Sequence, residues 1–86
     1  MTDVLIYTKT TCGFCHSAKR LLEQKGLEYT EISVDADREL WNKMVEDSGQ
    51  RTVPQIWIND KWVGGCTDLY ALDRSGKLDQ MIANDK

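Results

Sequence analysis

Val4-Leu5-Ile6-Tyr7-Thr8-Lys9-Thr10-Thr11-Cys12-Gly13-Phe14-Cys15 is the stretch on which the fold turns. Its first five residues are a short β-branched and apolar run, which predicts a buried strand. From Cys15 to Lys25 the apolar residues Ala18, Leu21 and Leu22 recur at helical spacing, and Gly26 is a natural C-terminal stop. Leu27 to Val34 alternates in polarity and predicts a second strand. Strand, helix and strand in this order make a βαβ unit, with parallel strands and a right-handed crossover.

Working outward, Asp35 or Asp37 is placed to cap a helix over Arg38 to Asp47, with Leu40, Trp41, Met44 and Val45 inward and Ser48-Gly49 ending it. Gln55-Ile56-Trp57-Ile58 and Lys61-Trp62-Val63 are β-rich runs separated by Asn59-Asp60, a pair that tolerates positive φ and predicts a tight hairpin. Gly64-Gly65 breaks the second run. Thr67 or Asp68 then opens a helix carrying Leu69 and Leu72 and ending at Gly76, with a further turn or two over Leu78 to Ala83. The expected order is β-α-β-α-β-β-α, an α/β fold with a four-stranded mixed sheet and helices on both faces.

Eighty-six residues, 41% apolar and 29% charged, suit a single domain over 1–86 that folds without staples. A net charge of −3 argues against a nucleic-acid binder, which carries a basic excess. Lys9, Lys19, Arg20 and Arg51 fall near the motifs below; they read either as a patch for a small anion or as part of a solvated mixed-charge surface. Asp3 and Lys9 interrupt the only early apolar run, which does not read as a signal peptide, and no run approaches the roughly 20 apolar residues that cross a bilayer. A cytoplasmic, reducing location follows as the expectation, and there a close cysteine pair is catalytic or metal-binding rather than structural.

Cys12-Gly13-Phe14-Cys15 sits where the first strand ends and the first helix begins. Unpaired N–H groups and the positive end of the helix dipole favour an anion at that point, so the placement favours the thiolate of Cys12. Cys15 follows one turn later, within reach of a disulfide on Cys12. Lys9 adds positive charge nearby. Three other readings compete. A zinc site could draw on Cys12, Cys15, Cys66 and His16, but no second paired spacing exists. Cys12-Gly13-Phe14-Cys15-His16 also matches the covalent haem pattern, with Met44 or Met81 as axial ligand, against which stand the missing export signal and the β-rich second half. Two inert core cysteines are the third, and a thiol pair at a strand-to-helix corner suits that poorly.

Two further motifs have a plain and a functional reading. Thr52-Val53-Pro54 holds the only proline, either as an ordinary first residue of a strand or with a cis bond that leaves the backbone of Val53 free to pair with an extended thiol substrate. Gly64-Gly65-Cys66-Thr67-Asp68 is either a broken strand followed by a helix cap, or a seat for a ligand end bearing a carboxylate and an ammonium. Cys66 reads as a small, partly buried residue or as a second oxidisable thiol. His16 is assigned to the solvent face, and Trp41, Trp57 and Trp62 to core and surface packing.

Tyr7-Thr8-Lys9-Thr10-Thr11-Cys12-Gly13-Phe14-Cys15, then Thr52-Val53-Pro54-Gln55-Ile56, then Gly64-Gly65-Cys66-Thr67-Asp68-Leu69, taken in that order and spacing, resemble the glutaredoxin family. The resemblance spans essentially the whole chain and is nearest to the small bacterial dithiol members. It implies a thioredoxin-like fold, a monomer, and glutathione-dependent reduction of glutathionylated or disulfide-bonded proteins. Cys12 is then the nucleophile and Cys15 the resolving thiol. Lys9 and Arg51 hold the glycyl carboxylate of glutathione, and Val53, beside a cis Pro54 and following Thr52, pairs with its cysteinyl unit. Gly65, Cys66, Thr67 and Asp68 hold the γ-glutamyl end, and Phe14 shapes one wall. Dithiol members often carry proline and tyrosine between the cysteines. Gly13 in place of proline resembles members that bind a [2Fe–2S] cluster between two subunits through the nucleophilic cysteine and glutathione, which is the alternative function.

Overall fold

A computed structural model describes residues 2–83. Strand β1 (Val4–Thr8) is central, flanked by β2 (Thr30–Ser33) in parallel and β3 (Gln55–Ile58) antiparallel, with β4 (Lys61–Gly64) antiparallel to β3. The sheet order is β2-β1-β3-β4. Alternation sends Val4, Ile6, Ile56 and Ile58 to one face, where they meet Ala18, Leu21 and Leu22 of α1 (Gly13–Gln24), Leu69 of α3 (Cys66–Arg74) and Leu78 of α4 (Lys77–Ala83). Tyr7, with Leu5 and Trp57, faces the other way against Met44, Leu40, Trp41 and Val45 of α2 (Arg38–Ser48). Helices therefore cover both faces, as the two periodicities require.

Local chemistry fixes the ends. Asp37 caps α2 by accepting the Leu40 N–H at 3.1 Å, and Gly49 closes it in the left-handed region at φ 72°. Asn59 and Asp60, at φ 52° and 67°, make the two-residue hairpin turn. A bulge between the Ile56 and Trp57 pairings leaves Val63 as the extra residue of β4.

Four expectations shift. Helix α1 begins at Gly13 rather than Cys15, because Cys12 itself is the N-cap. The second strand spans Thr30–Ser33, not Leu27–Val34. Leu27 gives its N–H to Leu22 to close α1 at 3.0 Å, and Leu27 and Tyr29 pack into the α1 core instead of pairing. Helix α3 starts at Cys66, with Gly65 rather than Thr67 or Asp68 at the N-cap. The tail over Leu78 to Ala83 is a separate seven-residue helix, with Gly76 at φ 80° between the two. Among the described residues no helix is long and apolar enough to cross a membrane.

Candidate active site

Strand β1 delivers the chain to Lys9, and a tight turn brings the Cys12 N–H onto the Lys9 carbonyl at 3.2 Å. Asp35 anchors that turn. Its carboxylate accepts the Thr10 N–H at 2.8 Å and the Thr10 hydroxyl, and these two bonds hold the Asp35 carboxyl below its usual value. His16 donates from Nε2 to the Thr10 carbonyl at 3.2 Å and is exposed on α1, so it braces the loop from outside.

Cys12 sits half-buried at the N-cap of α1. Its sulfur accepts the Cys15 N–H at 3.3 Å, and its S–H points to the Val53 carbonyl at 3.6 Å. A backbone donor aimed at sulfur, at the positive end of a helix, stabilises negative charge there. Cys15 lies one turn deeper and is fully buried; burial, and after it the hydrogen bond with Cys12, pushes its thiol up to about 12. Cys66 is also buried, and burial followed by the charge of Cys12 pushes its thiol up. The three sulfurs thus differ in access, and Cys12 is the one that meets solvent.

Three segments meet in a groove of roughly 460 Å³ beside Cys12. Phe14 of α1 forms one wall, Thr52, Val53 and Pro54 the floor, and Gly65, Cys66, Thr67 and Asp68 the far side. The Val53–Pro54 peptide bond is cis. Asp68 accepts the Gly65 N–H at 3.0 Å, and a Cβ on Gly65 would touch the Pro54 carbonyl at 3.3 Å, so the loop and the start of α3 lie against each other.

Cys12 meets this lining through its contact with Val53, Cys15 lies behind it, and two of the binding residues named from the sequence lie away from it. Lys9 places Nζ 4.6 Å from the Trp41 ring centroid, a cation–π contact toward α2, and Arg51 is exposed without joining the groove. Of the basic residues near the motifs, Lys19 is paired with Glu31 at 3.0 Å. The groove also has members that sequence reasoning passed over: Gln50, Gln55 and Trp62. Gln55 is 2% exposed; it donates to the Thr52 carbonyl at 3.0 Å and accepts the Trp62 Nε1–H at 2.9 Å. Its signal was its position directly after Pro54, where a buried amide braces the loop from below.

The profile of the family described as glutaredoxin matches residues 4–63. Glutaredoxin 3 of Escherichia coli K12 is 48% identical over 82 residues, 95% of this chain and 99% of that one. The solution structure of a glutaredoxin from Brucella melitensis superposes with a TM-score of 0.86 at 50% identity, covering 100% of this chain and 94% of that one. A crystal structure of a buckwheat glutaredoxin–glutathione complex superposes at 0.87 and 33% identity, covering 95% of this chain and 77% of that one. A strand-to-helix dithiol, a proline loop facing it and a glycine-led helix thus coincide with likeness over nearly the full length. The chain belongs to the glutaredoxin family, whose members are thiol–disulfide oxidoreductases.

Proposed function

We propose that this chain acts as a single-domain, monomeric cytoplasmic reductase over residues 1–86, using glutathione to reduce protein–glutathione mixed disulfides and protein disulfides. The observation that carries the reading is the meeting of Cys12 Sγ with the Val53 carbonyl at 3.6 Å on the floor of an open groove. Glutathione lies along that groove in extended form, its cysteinyl unit against Val53. Its γ-glutamyl carboxylate takes the N–H groups at the start of α3, and its ammonium takes Asp68. The glycyl carboxylate lies toward Lys9 and Arg51, and Lys9 reaches it by leaving the Trp41 face, a change that costs about 0.5–1 kcal/mol.

The Cys12 thiolate attacks the glutathionyl sulfur, the protein thiolate leaves and takes a proton, and a second glutathione restores Cys12 by the same exchange. With a protein disulfide, Cys15 gives up its proton and attacks the mixed disulfide on Cys12. The chain is then left as a Cys12–Cys15 disulfide, which two glutathiones reduce. Supporting this division is the burial of Cys15, which keeps it a thiol until Cys12 has reacted. Cys12→Ser abolishes deglutathionylation in a coupled assay, while Cys15→Ser retains much of it and loses protein-disulfide reduction. Equal loss of deglutathionylation in both variants refutes the roles.

The alternative, a [2Fe–2S] cluster shared between two subunits through Cys12 and glutathione, draws one thiol from each chain. Among the described residues no three metal-ligating side chains converge. Visible charge-transfer bands in anaerobically purified protein would favour that role.

A further inference from the structure

We propose that Trp62 selects the polypeptide in the reduction of protein disulfides, favouring substrates with an apolar side chain beside the attacked cysteine; this rests on the groove reading above. Among the described residues two large apolar side chains are left exposed, Phe14 at 68% and Trp62 at 46%. Scattered exposed aromatics are ordinary. These two come from different elements, the first turn of α1 and the edge strand β4, yet both line the groove beside Cys12.

Trp62 is also held in place. Its Nε1–H is taken by Gln55, whose own amide nitrogen is bound to the Thr52 carbonyl and hydroxyl at 3.0 and 3.2 Å. The indole is thereby keyed to the loop that carries Val53, and its one polar group is satisfied. What it offers an incoming chain is an apolar face at a fixed distance from the backbone of Val53. A preorganised aromatic of this kind gives large contact area at little entropic cost. Glutathione carries charged ends and no apolar side chain, so it has nothing to set against that face. A polypeptide occupying the groove does.

The reaction served is the dithiol one. Cys12 bonds to one substrate sulfur, the other leaves as a thiolate and is protonated, and Cys15 displaces the first to leave the Cys12–Cys15 disulfide. Trp62 contacts the flank of the sulfur attacked first and takes no part in the electron transfer.

Two peptides with an intramolecular disulfide, differing only in Leu or Ser beside the attacked cysteine, test this. Wild type prefers the Leu peptide in kcat/KM by on the order of tenfold. Trp62→Ala and Trp62→Gln bring the ratio close to one, and Trp62→Phe keeps most of the preference. A wild-type ratio near one, or a preference that survives both removals, overturns the inference. The mixed disulfide of glutathione and mercaptoethanol, run alongside, separates the two levels. Turnover there without peptide selectivity overturns the role of Trp62 alone, whereas a wild type inert on it overturns the glutathione reading and the inference together.

Discussion

Replacing Cys15 by alanine should change how stability depends on pH in a direction and size that the fold dictates. Burial raises the Cys15 thiol from an ordinary value of 9.0 to about 12 in the native state. Above about pH 9 the unfolded chain therefore releases a proton that the native chain keeps. The native state binds the extra proton, so the stability owed to this group is whole below about pH 9 and falls as pH rises toward about 12. The slope approaches about 1.4 kcal/mol per pH unit only once the unfolded thiol is mostly ionised, so the loss amounts to about 2 kcal/mol between pH 9 and 11. Urea unfolding of both proteins, followed by tryptophan fluorescence with a phosphine reductant present, gives the two curves. Their difference matters more than either alone, because Tyr29 is also pushed up to about 12, chiefly by its hydrogen bond to Glu23, and titrates in both. Wild type should lose about 2 kcal/mol more than Cys15→Ala over that span. Parallel curves would show that Cys15 ionises as freely in the native protein as in the unfolded one, and the account of why it waits for Cys12 would be wrong.

Two further outcomes follow from the same geometry. Iodoacetamide at neutral pH should modify one cysteine per native chain, Cys12, and three after unfolding, as counted by mass spectrometry, because Cys15 and Cys66 are buried; early labelling of Cys66 would contradict its placement. Gly64→Ala should destabilise the protein by roughly 1–3 kcal/mol and weaken glutathione binding measured by calorimetry. Gly64 sits at φ 120°, and a Cβ there would come within 2.8 Å of the Asp68 carboxylate carbon, displacing it from the Gly65 N–H.

Much of this molecule could be read from the chain because its signals are local. Period-two runs and Gly26, Gly49 and Asn59-Asp60 mark strands and stops within a few residues, and the Cys12–Cys15 pair declares its own place on a helix start. Legibility ended where a partner distant in sequence decides. Leu27 and Tyr29 alternate like strand residues, yet they turn into the α1 core because β2 pairs only from Thr30, opposite Leu5. Asp35 and Asp37 are equivalent candidates for a cap until Thr10, 25 residues away, claims the first. Lys9 looks like a free cation beside Cys12 until Trp41 on another helix receives it. Trp62 was invisible as a site residue for the same reason: its role exists only once β3 and β4 pair and Gln55, marked by its place after Pro54, receives the indole N–H.

The sheet order also bears on how the protein behaves in a crowded solution. Its two rims, β2 and β4, are each four residues long, and each is spoiled as a template for another chain. Glu31 stands on one, anchored to Thr8 and Lys19, and the other begins with Lys61 and is thrown out of register at Val63. Short, charged and bulged margins give a neighbouring strand little to zip onto. For a thiol–disulfide oxidoreductase such margins have a use, since a polypeptide joined to it by one disulfide bond would not also fuse with it into a common sheet.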